Sequence, residues 1–251
     1  MKHTLNFSHR GYSAKYPENT MLAFRKAIEA GCDGIELDVQ LSRDGVPVIC
    51  HDETLDRTTG GTGLLSNYTL KELQQFCAGT GDNGAICRIP TLREYFEMVA
   101  PTNVLTNVEL KTGVLPYPGI EEKVLELIDE FGLRDRVIVS SFNHYSVQRF
   151  KELAPDVTCG LLTESWIVNF ADYTKKLGVE CVHPVYFYLE QEHVEELKAA
   201  GIRINTWTVN DPKVIRNLLA MGVDGLIGND PEVIGREIRA FEAQQTGAEA
   251  N

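Results

Sequence analysis

The chain has 251 residues, 43% of them hydrophobic and 24% charged, a composition that excludes a disordered or fibrous protein. Its 24 Lys and Arg against 36 Asp and Glu leave a net charge of −12, which disfavours nonspecific binding to nucleic acid or anionic membrane. An anionic substrate must then be met by local cations.

Taken in chain order, short β-branched runs predict strands at 4–8, 34–39 and 46–49, with a helix of 3.6 period at 20–30 between the first two. Residues 52–90 then break the rhythm. Thr58-Thr59-Gly60-Gly61-Thr62-Gly63 is glycine-rich but lacks the Lys-Ser/Thr of a phosphate-cradling loop, and predicts a flexible turn. Thr69-Leu70-Lys71-Glu72 has capping-box spacing and starts a helix at Leu70. Beyond it, predicted helices at 91–99, 119–131, 145–153, 166–177, 190–200, 212–221 and 231–241 alternate with predicted strands at 104–110, 136–141, 157–162, 180–184, 202–208 and 223–227. Gly31, Gly132, Gly178, Gly201 and Gly222 stand just past the helical runs, where a left-handed residue ends a helix.

About eight βα units in this length predict an α/β fold, a (β/α)8 TIM barrel over residues 1–243, with 52–90 as a small insertion on one rim after the second strand region. A doubly wound open sheet would usually run to fewer strands. Residues 244–251 offer nothing to bury and predict a weakly ordered tail. Six cysteines without CxxC or zinc-site spacing read as reduced thiols. With no signal-peptide core and no apolar run of about 18 residues, the expectation is a cytoplasmic protein without stable membrane association.

Strand side chains alternate between lumen and helix layer, so residues two apart share a face. Glu36 and Asp38 flank Leu37, and Glu109 and Lys111 flank Leu110, each pair at a strand's carboxyl end. His9 ends the first strand and His51 follows the run 46–49. All six fall on the expected rim where barrel enzymes keep their chemistry. Three acids there without a cation would repel one another. A divalent ion relieves that, and all-oxygen ligands favour Mg²⁺ or Ca²⁺ over zinc. His3, His144, His183 and His193 read as structural, His193 on a solvated helix face and His144 beside a helix cap.

With these residues assembled, the sequence resembles the glycerophosphodiester phosphodiesterase family. His9-Arg10-Gly11 with Pro17-Glu18-Asn19-Thr20 is similar to its first signature, and the stretch from Gly34 to Asp52 to its longest. Leu55-Asp56-Arg57-Thr58-Thr59, Ile89-Pro90-Thr91-Leu92, Glu109-Leu110-Lys111, Ser141-Phe142 and Trp207-Thr208-Val209-Asn210 follow in the family's order. The resemblance implies a metal-dependent hydrolase that converts glycerophosphodiesters, such as glycerophosphocholine or glycerophosphoethanolamine, to an alcohol and sn-glycerol 3-phosphate. It implies Glu36, Asp38 and Glu109 as ligands of one divalent cation, His9 and His51 as the acid–base pair, and Arg10 and Lys111 as phosphate contacts. Phe142 and Trp207 would wall the glycerol carbons if they face the rim, and the insertion would close over the leaving alcohol. One departure stands out: Gly228-Asn229-Asp230-Pro231 occupies the place of the family's Thr-Asp-x-Pro. It is expected to be a loop change far from the six residues, touching substrate-rim detail more than the reaction.

Alternatives remain at this level. A lysophospholipase D-type hydrolase would require an apolar groove beside the rim. A Schiff-base aldolase would use Lys111 with a lowered pKa. A non-catalytic barrel binding a phosphorylated ligand would leave the full acid–base set without a purpose. The expected partner is a small-molecule substrate, not nucleic acid; the oligomeric state, a homo-oligomer included, stays open.

Overall fold

The first strand, β1 (Leu5–His9), and the second, β2 (Gly34–Leu41), pair in parallel, with His9 opposite Glu36. The computed structural model describes residues 3–82 and 84–249. A short third strand, β3 (Pro47–Ile49), runs antiparallel to the end of β2, Val39 facing Ile49 and Leu41 facing Pro47. Six further strands complete the sheet: β4 (Leu105–Leu110), β5 (Val137–Ser141), β6 (Thr158–Thr163), β7 (Cys181–Pro184), β8 (Arg203–Thr206) and β9 (Gly225–Gly228). All strands but β3 pair in parallel, and the β1–β2 and β1–β9 pairings close them into an eight-stranded barrel.

Helices α1 (Met21–Glu29), α2 (Leu70–Leu73), α3 (Leu92–Val99), α4 (Ile120–Glu130), α5 (His144–Leu153), α6 (Phe170–Lys176), α7 (Gln191–Ala199), α8 (Pro212–Met221) and α9 (Pro231–Glu249) follow in order. All but α2 belong to the βα repeat. The helix α3 shows how local chemistry sets an element. Thr91 accepts from the Glu94 N–H while the Glu94 side chain accepts from the Thr91 N–H, so two end donors are satisfied and Leu92, Tyr95, Phe96 and Val99 turn inward. Replacing Thr91 by Ala would cost about 1 kcal/mol.

Inside the barrel, large and small residues alternate. Phe7, Ile138 and Ile227 plug the lumen below the site. The ring of Phe7 fills the space a Cβ on Gly34 would take, and a Cβ on Gly160 would lie 2.6 Å from the His183 ring. Glycine at these two positions is what lets the bulky neighbours cross the lumen.

Several boundaries differ from expectation. Residues 46–49 do not join the barrel: the long β2 overshoots the rim, turns through Ser42–Gly45, and β3 comes back down. β3 and the segment after it contribute a cluster of Val48, Cys50, Leu55, Leu65, Leu73, Ala78 and Ile89, separate from the barrel's. In that segment Thr69 does form the capping box of α2, and the glycine-rich turn is tied by Gly61 N–H to Thr59 Oγ1 and Gly63 N–H to Asp56 Oδ2. The helix expected from 166 begins only at Phe170, because Asn169 adopts φ 56. The tail expected to be weakly ordered from 244 is helical through Glu249 as an extension of α9. Ala, Gln and Glu are good helix formers, and propagation needs no new nucleus. Residues 250 and 251 lie outside the described residues.

Candidate active site

Register brings the acids together. Pairing of β2 with β4 sets Asp38 opposite Glu109 and Glu36 opposite Asn107, all on the lumen side. Glu36, Asp38 and Glu109 are buried, and one oxygen from each lies within 4.8 Å of the others. Burial, and then the charges of Asp38 and Glu109, push Glu36 well above the usual carboxylate range. Burial and Asp38 push Glu109 to about 7. Burial opposes ionisation of Asp38 as well, but Arg10 and Lys111 hold its pKa down. Asp38 Oδ1 has no hydrogen-bond partner among the described residues. Three converging carboxylates, two of them strained toward protonation and one with an orphaned oxygen, fit a hard divalent cation. The cluster could hold a metal ion.

Lys111 Nζ donates to Glu109 Oε1 at 2.9 Å and stands 3.7 Å from Asp38 Oδ1. Burial works to lower its pKa, but Glu109 and Asp38 outweigh it and raise it. A Schiff-base lysine needs the opposite shift, which argues against the aldolase.

At the top of β1 the chain turns sharply, with Arg10 at φ 56 and Gly11 at φ 77. The left-handed arginine costs on the order of 1 kcal/mol. It puts the Arg10 N–H 3.0 Å from Glu36 Oε2 and the guanidinium 3.4 Å from Asp38 Oδ2 and 2.9 Å from Glu18 Oε1. His9 Nε2 stands 3.9 Å from Glu36 Oε2. Burial, reinforced by Arg10, lowers His9 to about 4. Its Nδ1 is 2.7 Å from Asn229 Oδ1. This corrects the expectation that Gly228–Pro231 lies far from the site. Because β9 closes the barrel against β1, the residue just past β9 falls beside the residue that ends β1.

His51 arrives differently. Its strand is antiparallel, so the carboxyl end of β3 points down onto the barrel mouth, and the Cys50 N–H donates to the Asp38 carbonyl at 3.0 Å. His51 Nδ1 lies 2.6 Å from Asp52 Oδ1. Arg57 grips Asp52 through Nε and Nη2 at 2.7 and 2.9 Å and Glu18 through Nη1 and Nη2 at 3.0 and 2.8 Å. Glu18 in turn accepts from Arg10, so one chain of ion pairs ties the insertion to the first strand. Gln40 fixes the descending segment by donating to the carbonyls of Cys50 and Asp52 at 2.8 Å, while Tyr117 donates to Gln40 Oε1.

One cavity of about 460 Å³ is lined by His9, Arg10, Glu36, His51, Glu109 and Lys111. Its opposite wall carries Phe142 and Trp207, whose rings meet edge to face at 5.5 Å. Asp38 stands behind the lining. Sequence reasoning had not singled out Asn229, Asp52, Arg57, Glu18 or Asn19, whose Nδ2 donates to Asp38 Oδ2 at 2.8 Å; the last four lay inside the quoted motifs without a role. Of the histidines read as structural, His183 is buried in the lumen and accepts from Asn205 Nδ2, and His144 bonds the Leu162 carbonyl and the Tyr173 hydroxyl. His193 is not simply solvated: its ring stacks on Trp166 at 3.7 Å, and its Nδ1 accepts from the Glu190 N–H.

Residues 9–233 match the glycerophosphoryl diester phosphodiesterase family. A glycerophosphodiester phosphodiesterase of Caldanaerobacter subterraneus subsp. tengcongensis is 44% identical over 94% of this chain and 98% of its own. One from Bacillus altitudinis is 42% identical over 90% of this chain and 94% of its own. The structure of an Oleispira antarctica phosphodiesterase in complex with the product sn-glycerol-3-phosphate superposes with a TM-score of 0.85 at 31% identity, covering 94% of this chain and 97% of that one. The chain therefore belongs to the glycerophosphoryl diester phosphodiesterase family of enzymes.

Proposed function

We propose that this protein hydrolyses small glycerophosphodiesters, glycerophosphocholine and glycerophosphoethanolamine among them, to an alcohol and sn-glycerol 3-phosphate, with Glu36, Asp38 and Glu109 holding one Mg²⁺ or Ca²⁺. The observation that carries this reading is the meeting, in one cavity, of the three-acid cluster, two imidazoles and two cationic side chains. The product complex of the Oleispira relative supports it.

A phosphodiester resists attack because its anionic oxygens repel nucleophiles and its alkoxide leaves poorly. A divalent cation held by Glu36, Asp38 and Glu109 would supply Lewis-acid stabilisation of the phosphodiester's charge. Arg10 and Lys111 donate to the remaining oxygens, which also answers how a protein of charge −12 receives an anion. His9, poised as a neutral ring, draws a proton from the glycerol 2-hydroxyl or from water. His51, backed by Asp52, delivers one to the departing alcohol, each transfer worth roughly 10²–10⁴ in rate. Phe142 and Trp207 wall the glycerol carbons, and the insertion that follows His51 closes over the leaving alcohol.

One observation favours a second, lysophospholipase D-type reading. Val114, Phe142, Tyr145, Val168 and Phe187 are all exposed on the segments that follow β4, β5, β6 and β7, and the first two line the cavity. Apolar exposure gathered at one end of a molecule marks a binding surface more often than exposure scattered singly. No described helix is long and apolar enough to cross a membrane, and the six free thiols suit the reducing cytoplasm.

Both readings meet in one assay. Hydrolysis of glycerophosphocholine and lysophosphatidylcholine is compared with and without EDTA. Glycerophosphocholine turnover that EDTA abolishes and Mg²⁺ or Ca²⁺ restores is expected. Undiminished turnover in EDTA would overturn the metal-dependent mechanism, and faster release of choline from the lysolipid would shift the substrate.

A further inference from the structure

Asn229 lies 220 positions from His9 in the chain and yet touches it. We propose that Asn229 is a positioning residue that sets the tautomer of His9, keeping the ring proton on Nδ1 and turning the Nε2 lone pair toward the phosphodiester. The inference rests on the reading of His9 as the base.

The chemistry is one of donor and acceptor inventory. A carboxamide oxygen only accepts, so the ring nitrogen 2.7 Å from Asn229 Oδ1 must carry the hydrogen. A neutral imidazole has one N–H. Fixing it on Nδ1 leaves Nε2, on the side of Glu36 and the cavity, as the atom able to take a proton. With the carboxamide turned over, the –NH₂ would face Nδ1, the proton would sit on Nε2, and the ring could not act as a base toward the substrate.

Such control requires that Asn229 itself be held, and its backbone is fixed on both sides. Its N–H donates to Asn210 Oδ1 at 2.8 Å and its carbonyl accepts from the Ala14 N–H at 3.0 Å. Gly228 before it lies in β9 where a Cβ would collide with the Val209 carbonyl, so the chain runs closer to the 209–210 segment than any larger residue would permit. Asp230 after it accepts from the N–H groups of Glu232 and Val233, both at 3.1 Å, and anchors the start of α9. The glycine and the asparagine that depart from the family pattern thus act together: one allows the close approach, the other uses it.

The test reads the tautomer directly. Long-range ¹H–¹⁵N spectra of the unliganded wild-type protein at neutral pH are expected to show the His9 proton on Nδ1, and Asn229→Ala to populate the Nε2–H form. In steady-state assays Asn229→Ala should lower kcat about 10–100-fold with KM within about two-fold, as for other groups that orient a reacting residue. Asn229→Asp, which returns an acceptor oxygen to the same place, should recover most of that loss. A wild-type proton on Nε2, an Asn229→Ala spectrum like wild type, or a kcat loss that aspartate does not rescue would each overturn the proposal. The wild-type spectrum decides the tautomer even if Asn229→Ala folds poorly. Should His9→Ala retain full activity, the base assignment would fail while the spectra still judged Asn229.

Discussion

The two imidazoles of the site come from regions built in opposite ways. His9 stands on the barrel wall, at the end of a strand paired on both sides, and its Nδ1 meets a neutral amide, Asn229. His51 is lowered into the mouth by an appended hairpin, and its Nδ1 meets a carboxylate, Asp52, itself clamped by Arg57. An amide offers a dipole to the proton it receives, whereas a carboxylate offers a full charge. The same side chain, given different partners, is thereby suited to opposite proton transfers. On the proposed mechanism, the residues behind the histidines would divide the labour between them.

The bluntest way to break that comparison is to delete the rings. His9→Ala and His51→Ala should each lower kcat by 10²–10⁴-fold, since each is assigned about one proton transfer, while circular dichroism and melting temperature stay close to wild type. A loss confined to one of the two would leave the other as a bystander. A sharper test equalises the partners. Asp52→Asn gives His51 the same kind of neighbour as His9 and removes the charge that Arg57 grips, so kcat should fall about 10–100-fold. The deficit should be largest for substrates with poor leaving groups, and an activated aryl ester, which needs little protonation, should be hydrolysed nearly as fast as by wild type.

The smallest effect concerns a third imidazole, His183, outside the proposed chemistry. Burial lowers His183 from its ordinary 6.5 to about 3. Between those values the unfolded chain holds a proton that the folded one refuses, so the folded state is fully favoured above pH 6.5 and loses stability as pH falls toward 3. The slope for one proton is about 1.4 kcal/mol per pH unit. His183→Gln keeps a side-chain acceptor for Asn205 and should flatten the pH dependence of unfolding in this window, measured by urea titration at stepped pH, without altering kcat. An unchanged slope would show that His183 takes up its proton without unfolding.

Much of this was legible because a strand has period two. Glu36 and Asp38, or Glu109 and Lys111, must share a face whatever the tertiary details, and placing them at carboxyl ends was enough to collect a site. What sequence could not carry was direction and distance. Nothing in Pro47–Ile49 says antiparallel, so His51 was assigned to the rim by the right rule for the wrong strand type. Asn229 escaped because its role depends on barrel closure, which joins the last strand to the first. The signal was nevertheless present: Gly228 stands where the resembled pattern has a threonine, and such a glycine asks what has drawn close to it. The exchange between Glu18, Arg57 and Asp52 was hidden for a simpler reason, as charged residues in loops are most often solvated.

The small hydrophobic cluster beneath the hairpin extension shares no buried member with the barrel's own core. Repacking that annex would leave Glu36, Asp38, Glu109 and His9, which stand on barrel strands, in place. Remodelling that annex alone, with His51 and its Asp52–Arg57 support kept, would reshape one side of the mouth while the acids and His9 on the other side stay as they are.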